Sequence, residues 1–403
     1  MAVTTWGRTE EANIGLLNEK LRRQAYHQTF WSRFAGFTKI EGEGRDKVKI
    51  PSGQPIEIMR DFVESGMDHM LVPMLLNLTG AGIYGDKQLK GNEEALDLYY
   101  NKVYINQIRN GIRDGGRMSR QRLKALQIEK QKQPLLSNWA AQWNEVALAR
   151  TFYEGWSPHI TAATTSGGLY IGSGQKRVHP NFFTAGSGQV TYSATDATFE
   201  SSVDTALTNL TDTSTDYFST DLLEAMRVEV IKLKIKPMVT ENGMEFWPML
   251  IHPNQARQLR ADSDWQGVNQ RAWVANEAKN NPIFSGAIGS YAGFVLYERM
   301  LGVFGASPSG TGTVTFGATN PLSAPDTYAR KCAIIFGAGA ISRGVAEDLS
   351  FERETDDYGN VLGIGAGMIV GDSRGEYYDS TTSVTGVINQ TSAIVATYSD
   401  NSF

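Results

Sequence analysis

Leu78-Thr79-Gly80-Ala81-Gly82-Ile83-Tyr84-Gly85-Asp86, followed by Gly91-Asn92-Glu93-Glu94, is the stretch whose reading decides the fold. Gly80, Gly82 and Gly85 have the spacing G-x-G-x-x-G and follow a strand-like apolar run from Met70 to Leu78. In a dinucleotide-binding turn, these glycines lead straight into a helix whose N-terminus faces the pyrophosphate. Here Asp86-Lys87-Gln88-Leu89-Lys90-Gly91 brings another glycine before any helix can start. The acidic residue expected about 20 positions on is missing as well, since Lys102 to Asn106 contains none. The stretch reads as a bent connection between a hairpin and the body of the protein, and no cofactor is expected.

Upstream, Val48, Ile50, Ile56, Ile58 and Met59 alternate with polar residues around the turn signal Pro51-Ser52-Gly53, which predicts a hairpin. Glu41-Gly42-Glu43-Gly44-Arg45-Asp46 reads as a hinge. Before it, Ile14, Leu16, Leu17 and Leu21, then Tyr26, Phe30, Trp31, Phe34 and Phe37, recur at helical steps over an arm of about 1–46. Such an apolar stripe needs a surface to cover, which is either its own domain or a neighbouring subunit.

Downstream, Leu136, Trp139, Trp143, Val146 and Arg150 form one helical stripe, with Pro134 near its start and Gly155 at its end. Ser219 and Thr220 open a capped helix running to about Lys234. Phe246 to Ile251, Phe294 to Tyr297 and Ala333 to Phe336 read as strands, and Asn254 to Leu259 as a short helix. Residues 344–403 read as β-rich, with a hairpin turn at Asp356-Asp357-Tyr358-Gly359-Asn360. Residues 156–200 are rich in Gly, Ser and Thr and read as loops and short strands.

Composition narrows the function classes. The 403 residues are 41% hydrophobic and 20% charged, as in an ordinary folded protein, and the net charge of -5 shows no basic excess for nucleic acid. The single cysteine, Cys332, sits in an apolar run, which excludes a disulfide framework and predicts a buried small side chain. No secretory leader is read at the N-terminus, and no apolar run has a membrane-spanning length. His27, His69, His159, His179 and His252 are scattered singly, without metal-ligand spacing. No Walker, H-E-x-x-H or Gly-x-Ser-x-Gly motif is present, so no catalytic constellation is expected. Charge is uneven: residues 109–132 hold eight Lys or Arg against two acidic residues, and residues 346–379 hold nine acidic residues against two Arg. These blocks are either solvated faces or complementary surfaces between identical subunits.

The glycine-rich block above, Arg109 with Gly115-Gly116-Arg117-Met118-Ser119-Arg120-Gln121-Arg122, the Leu136–Trp143 stripe closed by Gly155, and the stretch from Asn281 to Gly293 together resemble the major capsid proteins of tailed bacteriophages. The N4-like podovirus branch is the nearest in pattern. The resemblance implies an α+β protein of the Hong Kong 97 type. On this chain that means an N-terminal arm (1–46), an extended loop (47–100) and a peripheral domain (101–202) with a spine helix at about 119–155. An axial domain (203–335) and a β-rich return to the peripheral domain (336–403) follow. It implies a structural protein, not an enzyme, assembling into hexamers and pentamers of an icosahedral head around double-stranded DNA met weakly and without sequence preference. Scaffolding, portal and cement proteins are the further partners it suggests, with assembly in the bacterial cytoplasm. An encapsulin-like compartment around a cargo enzyme is the alternative on the same fold. Phe30, Trp31 and Phe34 of the arm, with Val48, Ile50, Ile56, Ile58 and Met59 of the loop, are the expected inter-subunit contacts.

Overall fold

The computed structural model describes residues 30–41, 48–50, 52–60, 69–75, 82–85, 88, 90, 93, 98–113, 128–157, 178–186, 188–189, 196–239, 243–272, 287–317, 327–378 and 387–399. A 3-10 turn at Phe30–Phe34 leads into short strands β1 (Ala35–Phe37), β2 (Lys39–Glu41), β3 (Val48–Ile50) and β4 (Ile56–Met59). Longer strands β5 (His69–Leu75), β6 (Leu98–Tyr104) and β7 (Asn106–Arg113) precede helix α1 (Ile128–Glu154). Then come β8 (Phe182–Thr184), β9 (Gly188–Gln189), α2 (Asp196–Asn209), α3 (Thr220–Lys232), β10 (Met238–Val239), β11 (Glu245–Ile251), α4 (Pro253–Ala261) and α5 (Ser263–Ala272). The rest is strand: β12 (Ala287–Tyr291), β13 (Phe294–Glu298), β14 (Gly305–Pro308), β15 (Val314–Phe316), β16 (Arg330–Phe336), β17 (Ile341–Asp356), β18 (Val361–Arg374), β19 (Tyr377–Tyr378), β20 (Val387–Ile388) and β21 (Ser392–Tyr398).

Among the described residues three larger sheets and the two-stranded pair β2–β3 organise these elements. One has the order β12-β13-β11-β16-β21-β8-β9, with β10, β14 and β15 attached at its sides. It is buried on both faces, so its central strands are apolar throughout rather than alternating. Ile334 and Phe336 of β16 with Ile394 and Ala396 of β21 join one cluster. Ala333 and Ile335 with Ala393 and Val395 join the other, under α3 and α4. Cys332 is fully buried there as a free thiol. The second sheet, β1-β4-β17-β18-β7, is built on the long β17–β18 hairpin. The third, β20-β19-β6-β5, is smaller.

Helix α1 links the first two sheets. Its 27 residues extend about 40 Å at 1.5 Å each. The first part packs Leu136, Ala140 and Ala141 on Leu349, Phe351, Ile364 and Ala366 of the hairpin. From Val146 to Glu154 every residue is buried. Gly155, at φ 87°, ends the helix and returns its N–H to the Thr151 carbonyl. Pro134 lies inside the helix; residues 119–127 of the expected spine lie outside the described residues.

Local signals in the sequence survive. Ser219 caps α3 by accepting the Leu222 N–H, although the third helical position is Leu222 and so no reciprocal box forms. Asp357, Tyr358 and Gly359 all take positive φ in the turn joining β17 to β18. Pairing over longer range differs from expectation. Val48–Ile50 and Ile56–Met59 do not form a hairpin: β3 pairs with β2, and β4 lies parallel to both β1 and β17. The alternation of Ile56 and Ile58 reflects burial inside the subunit. The boundaries at 203 and 335 are also not those of the sheet, because β8 and β21 enter it from outside that range.

Candidate functional site

Phe30, Trp31 and Phe34 are 3%, 2% and 3% exposed. Trp31 stacks on Phe152 at 5.6 Å and donates its indole N–H to the Glu145 carbonyl. Phe30 and Phe34 meet Tyr297 edge-on. Ile56, Ile58 and Met59 are buried as well. These six side chains are spent in the subunit's own core, and the choice left open for the aromatic group resolves at Phe30–Phe34 toward its own domain. Val48 and Ile50 lie on β3. The arm before Phe30 lies outside the described residues.

Further along the expected extended loop, beyond the contacts named at 48–59, the chain forms a ribbon. β5 and β6 run antiparallel from the pair His69–Tyr104 to the pair Leu75–Leu98. At the root, Met70, Val72 and Val103 pack with Met59, Ile105, Ala346 and Ile369 on the β17–β18 sheet. Leu71, between Met70 and Val72 but on the opposite face of the ribbon, is 40% exposed, and Leu98 at the far end 39%. β5 is the edge strand, and Pro73 within it fits a position with no ladder N–H to give. That proline beside alternating apolar residues was the readable sign of an edge. The Gly80–Gly85 stretch belongs to the link between β5 and β6. Gly82 and Gly85 both have φ 71°, Tyr84 is largely exposed, and the next regular element among the described residues is strand β6 rather than a helix.

The ribbon's root is held by a buried polar joint. Asn101 on β6 donates to the Arg374 carbonyl and accepts from Ser373 Oγ at 3.0 and 3.1 Å. Arg374 is fully buried, donates to Glu376 at 2.6 Å and also reaches the Phe152 carbonyl near the end of α1. Asp372 accepts from Ser157 and faces Arg343 at 3.5 Å. Breaking such a pair leaves a buried charge uncompensated, which costs far more than the pair contributes.

His179 is fully buried, and burial, with Arg374 nearby, pushes its pKa well below the ordinary value. Its Nδ1 accepts the Asn181 N–H, so the proton sits on Nε2 and is donated to Ser392 Oγ at 2.9 Å. The ring therefore cannot deprotonate that serine. His252 caps α4 and His69 stacks near Tyr104, while His27 and His159 lie outside the described residues. Among the described residues no group of His, Cys, Asp and Glu is placed to hold a metal ion, and no helix is long and apolar enough to cross a membrane. Among the described residues the basic and acidic blocks meet within the subunit at Arg113 and Asp356, 2.6 Å apart, because β7 pairs with β18.

Comparison with known proteins decides the family. The sequence matches the profile of the phage capsid protein family over residues 15–395. The chain belongs to the phage capsid protein family. The major capsid protein of Pseudomonas phage KPP25 is 26% identical over 352 residues, covering 83% of this chain and 85% of that one. The capsid of Ralstonia phage GP4 superposes with a TM-score of 0.63 over 93% of this chain and 92% of that one, at 21% identity. The capsid of Helicobacter pylori bacteriophage KHP30 gives 0.57 over 89% and 94%, at 13% identity. The α+β architecture is that of Hong Kong 97-type phage capsids, and the family's role is structural.

Proposed function

We propose that this capsid protein builds the icosahedral head of a tailed phage by assembling into hexamers and pentamers, with its β5–β6 ribbon laid over a neighbouring subunit. The carrying observation is the ribbon itself. It is anchored at the root by Met70, Val72, Val103 and the Arg374 joint, and it leaves Leu71 on its other face and Leu98 at its far end to water. Small hairpins are marginal in water without a surface to cover, and in a shell that surface is another copy. Many modest contacts closed into a container hold together through multivalency and symmetry. In this reading residues 60–104 form the extended loop, α1 the spine, and the sheet containing β11, β16 and β21 the axial domain. The head encloses double-stranded DNA; the acidic subunit, with its net charge of -5, does not grip it. Assembly in the host cytoplasm, with portal, scaffolding and cement proteins as partners, belongs to the same reading. An encapsulin-like compartment has less support, since the solved relatives named above are phage capsids.

The test is expression of the full chain, followed by size-exclusion chromatography and negative-stain electron microscopy. Closed shells, or rings of six and five subunits, are expected. A monomer or dimer that persists after phage assembly partners are added contradicts the proposal.

A further inference from the structure

The sheet β1-β4-β17-β18-β7 has two unlike faces. One is covered by α1, through Ile112, Phe351, Ile364 and Ala366. On the other, the register aligns Arg113, Gly363 and Glu354 in one row across the strands, Gly111, Gly365 and Glu352 in the next, and Arg109, Gly367 and Ser350 in a third. A glycine floor about 14 Å long therefore runs between a cationic border and an acidic one. Arg109, Arg113, Glu352 and Glu354 are all exposed. Among the described residues the chain's own ribbon root covers the near end of this face, at Ile369 and Ala346, and the Arg113–Asp356 ion pair crosses its other end.

The subunit does not need these glycines. None of Gly111, Gly363, Gly365 and Gly367 has positive φ. A Cβ at Gly363 would have the Glu354 carbonyl oxygen as its nearest neighbour, at 3.9 Å, and one at Gly365 the Asn110 carbonyl oxygen, also at 3.9 Å. Glycine weakens a strand interior, and where the strand itself does not require it, it marks a place where another backbone comes close.

We propose that this open face, with its glycine floor between Arg109/Arg113 and Glu352/Glu354, seats a second copy of this chain in the shell. Three observations choose that occupant. The face carries cations along one border and carboxylates along the other, and each copy carries the matching basic and acidic blocks at 109–132 and 346–379. The near end of the same face is already covered by this fold's own ribbon, so a neighbour's segment continues an existing layer. Bare backbone admits a close, flat contact that a side-chain-covered sheet refuses. The inference rests on the shell-forming reading above.

The experiment compares wild type with Gly365→Val, Gly365→Ala and Glu352→Cys. Both Gly365 variants should keep the thermal midpoint of the unassembled subunit at or above wild type. Gly365→Val should lower the yield of closed shells at least tenfold, and Gly365→Ala by less. With Cys332 buried, the thiol of Glu352→Cys is the one that reacts with maleimide; it should label readily in the free subunit and at least tenfold more slowly in shells of this chain alone. Shells of Gly365→Val at wild-type yield, or equal labelling in both states, overturn the proposal. Protection found in whole virions but not in shells of this chain alone assigns the face to a decorating protein and also overturns it. Should wild type form no shells or rings, the function reading fails instead, and the two failures are told apart.

Discussion

Trp31 and Leu71 are both apolar side chains near the start of the chain, and the structure treats them in opposite ways. Trp31 is enclosed by Phe30, Phe152 and Phe336 of its own subunit, while Leu71 stands 40% exposed on a ribbon held only at one end. The sequence reading named the aromatic group as candidate contacts, with its own domain as the alternative, and put the contacts of the extended loop (47–100) at Val48–Met59 instead of on the ribbon. Hydrophobicity says that a side chain will be buried; only the strand pairing says by which chain. The aromatic group closes the core of one subunit, and the ribbon is the part proposed to meet a neighbour.

The contrast breaks most sharply at the buried end. Trp31→Ala should destabilise the isolated subunit by about 3–5 kcal/mol, read by chemical denaturation; unchanged stability with lost assembly would return this residue to an interface role. Arg374→Met should cost about 3 kcal/mol or more by leaving Glu376 buried without its cation, with Asn101 and the ribbon root loosened as well, seen as faster amide exchange over 98–104.

A smaller effect is expected from pH. The His179 pKa is pushed well below 6.5 in the folded state by burial, while the unfolded chain takes up a proton near that value. Below about pH 6.5 the unfolded state therefore binds more protons, and stability falls with falling pH by at most about 1.4 kcal/mol per unit from this group. That loss stops once the pH drops below the folded value. His179→Gln should flatten the stability profile between pH 6.5 and 5; a slope identical to wild type would remove the histidine from the account. The smallest effect on the subunit belongs to the ribbon. Leu71→Glu with Leu98→Glu should change subunit stability by about 0.5 kcal/mol or less and yet sharply reduce shell formation, measured by sedimentation.

Much of the fold was legible where short-range chemistry decides it. Gly155 ended α1, Ser219 capped α3, and the run Asp356–Asn360 marked the turn between β17 and β18. The apolar runs at 246–251 and 333–336 were read as strands, and both lie in the doubly buried sheet. What failed was pairing. Ile56–Met59 carries a strand pattern but nothing local that names β1 and β17 as its partners, since those contacts are long-range and set by tertiary packing. The candidate site was half legible for the same reason. The glycine-rich block pointed to the family, but six of the contact residues named for the arm and the loop are interior. Arg374 and Asn101 gave no sequence signal at all, because a buried polar joint is made by residues 273 positions apart.

Hydrogen–deuterium exchange on the free subunit and on assembled shells tests the division between these regions most directly. The account predicts new protection in shells over residues 69–75 and 98–104, where the ribbon gains a neighbour, and no change over 30–37, already enclosed in the free subunit. Protection gained at 30–37 with none at 69–75 would contradict it.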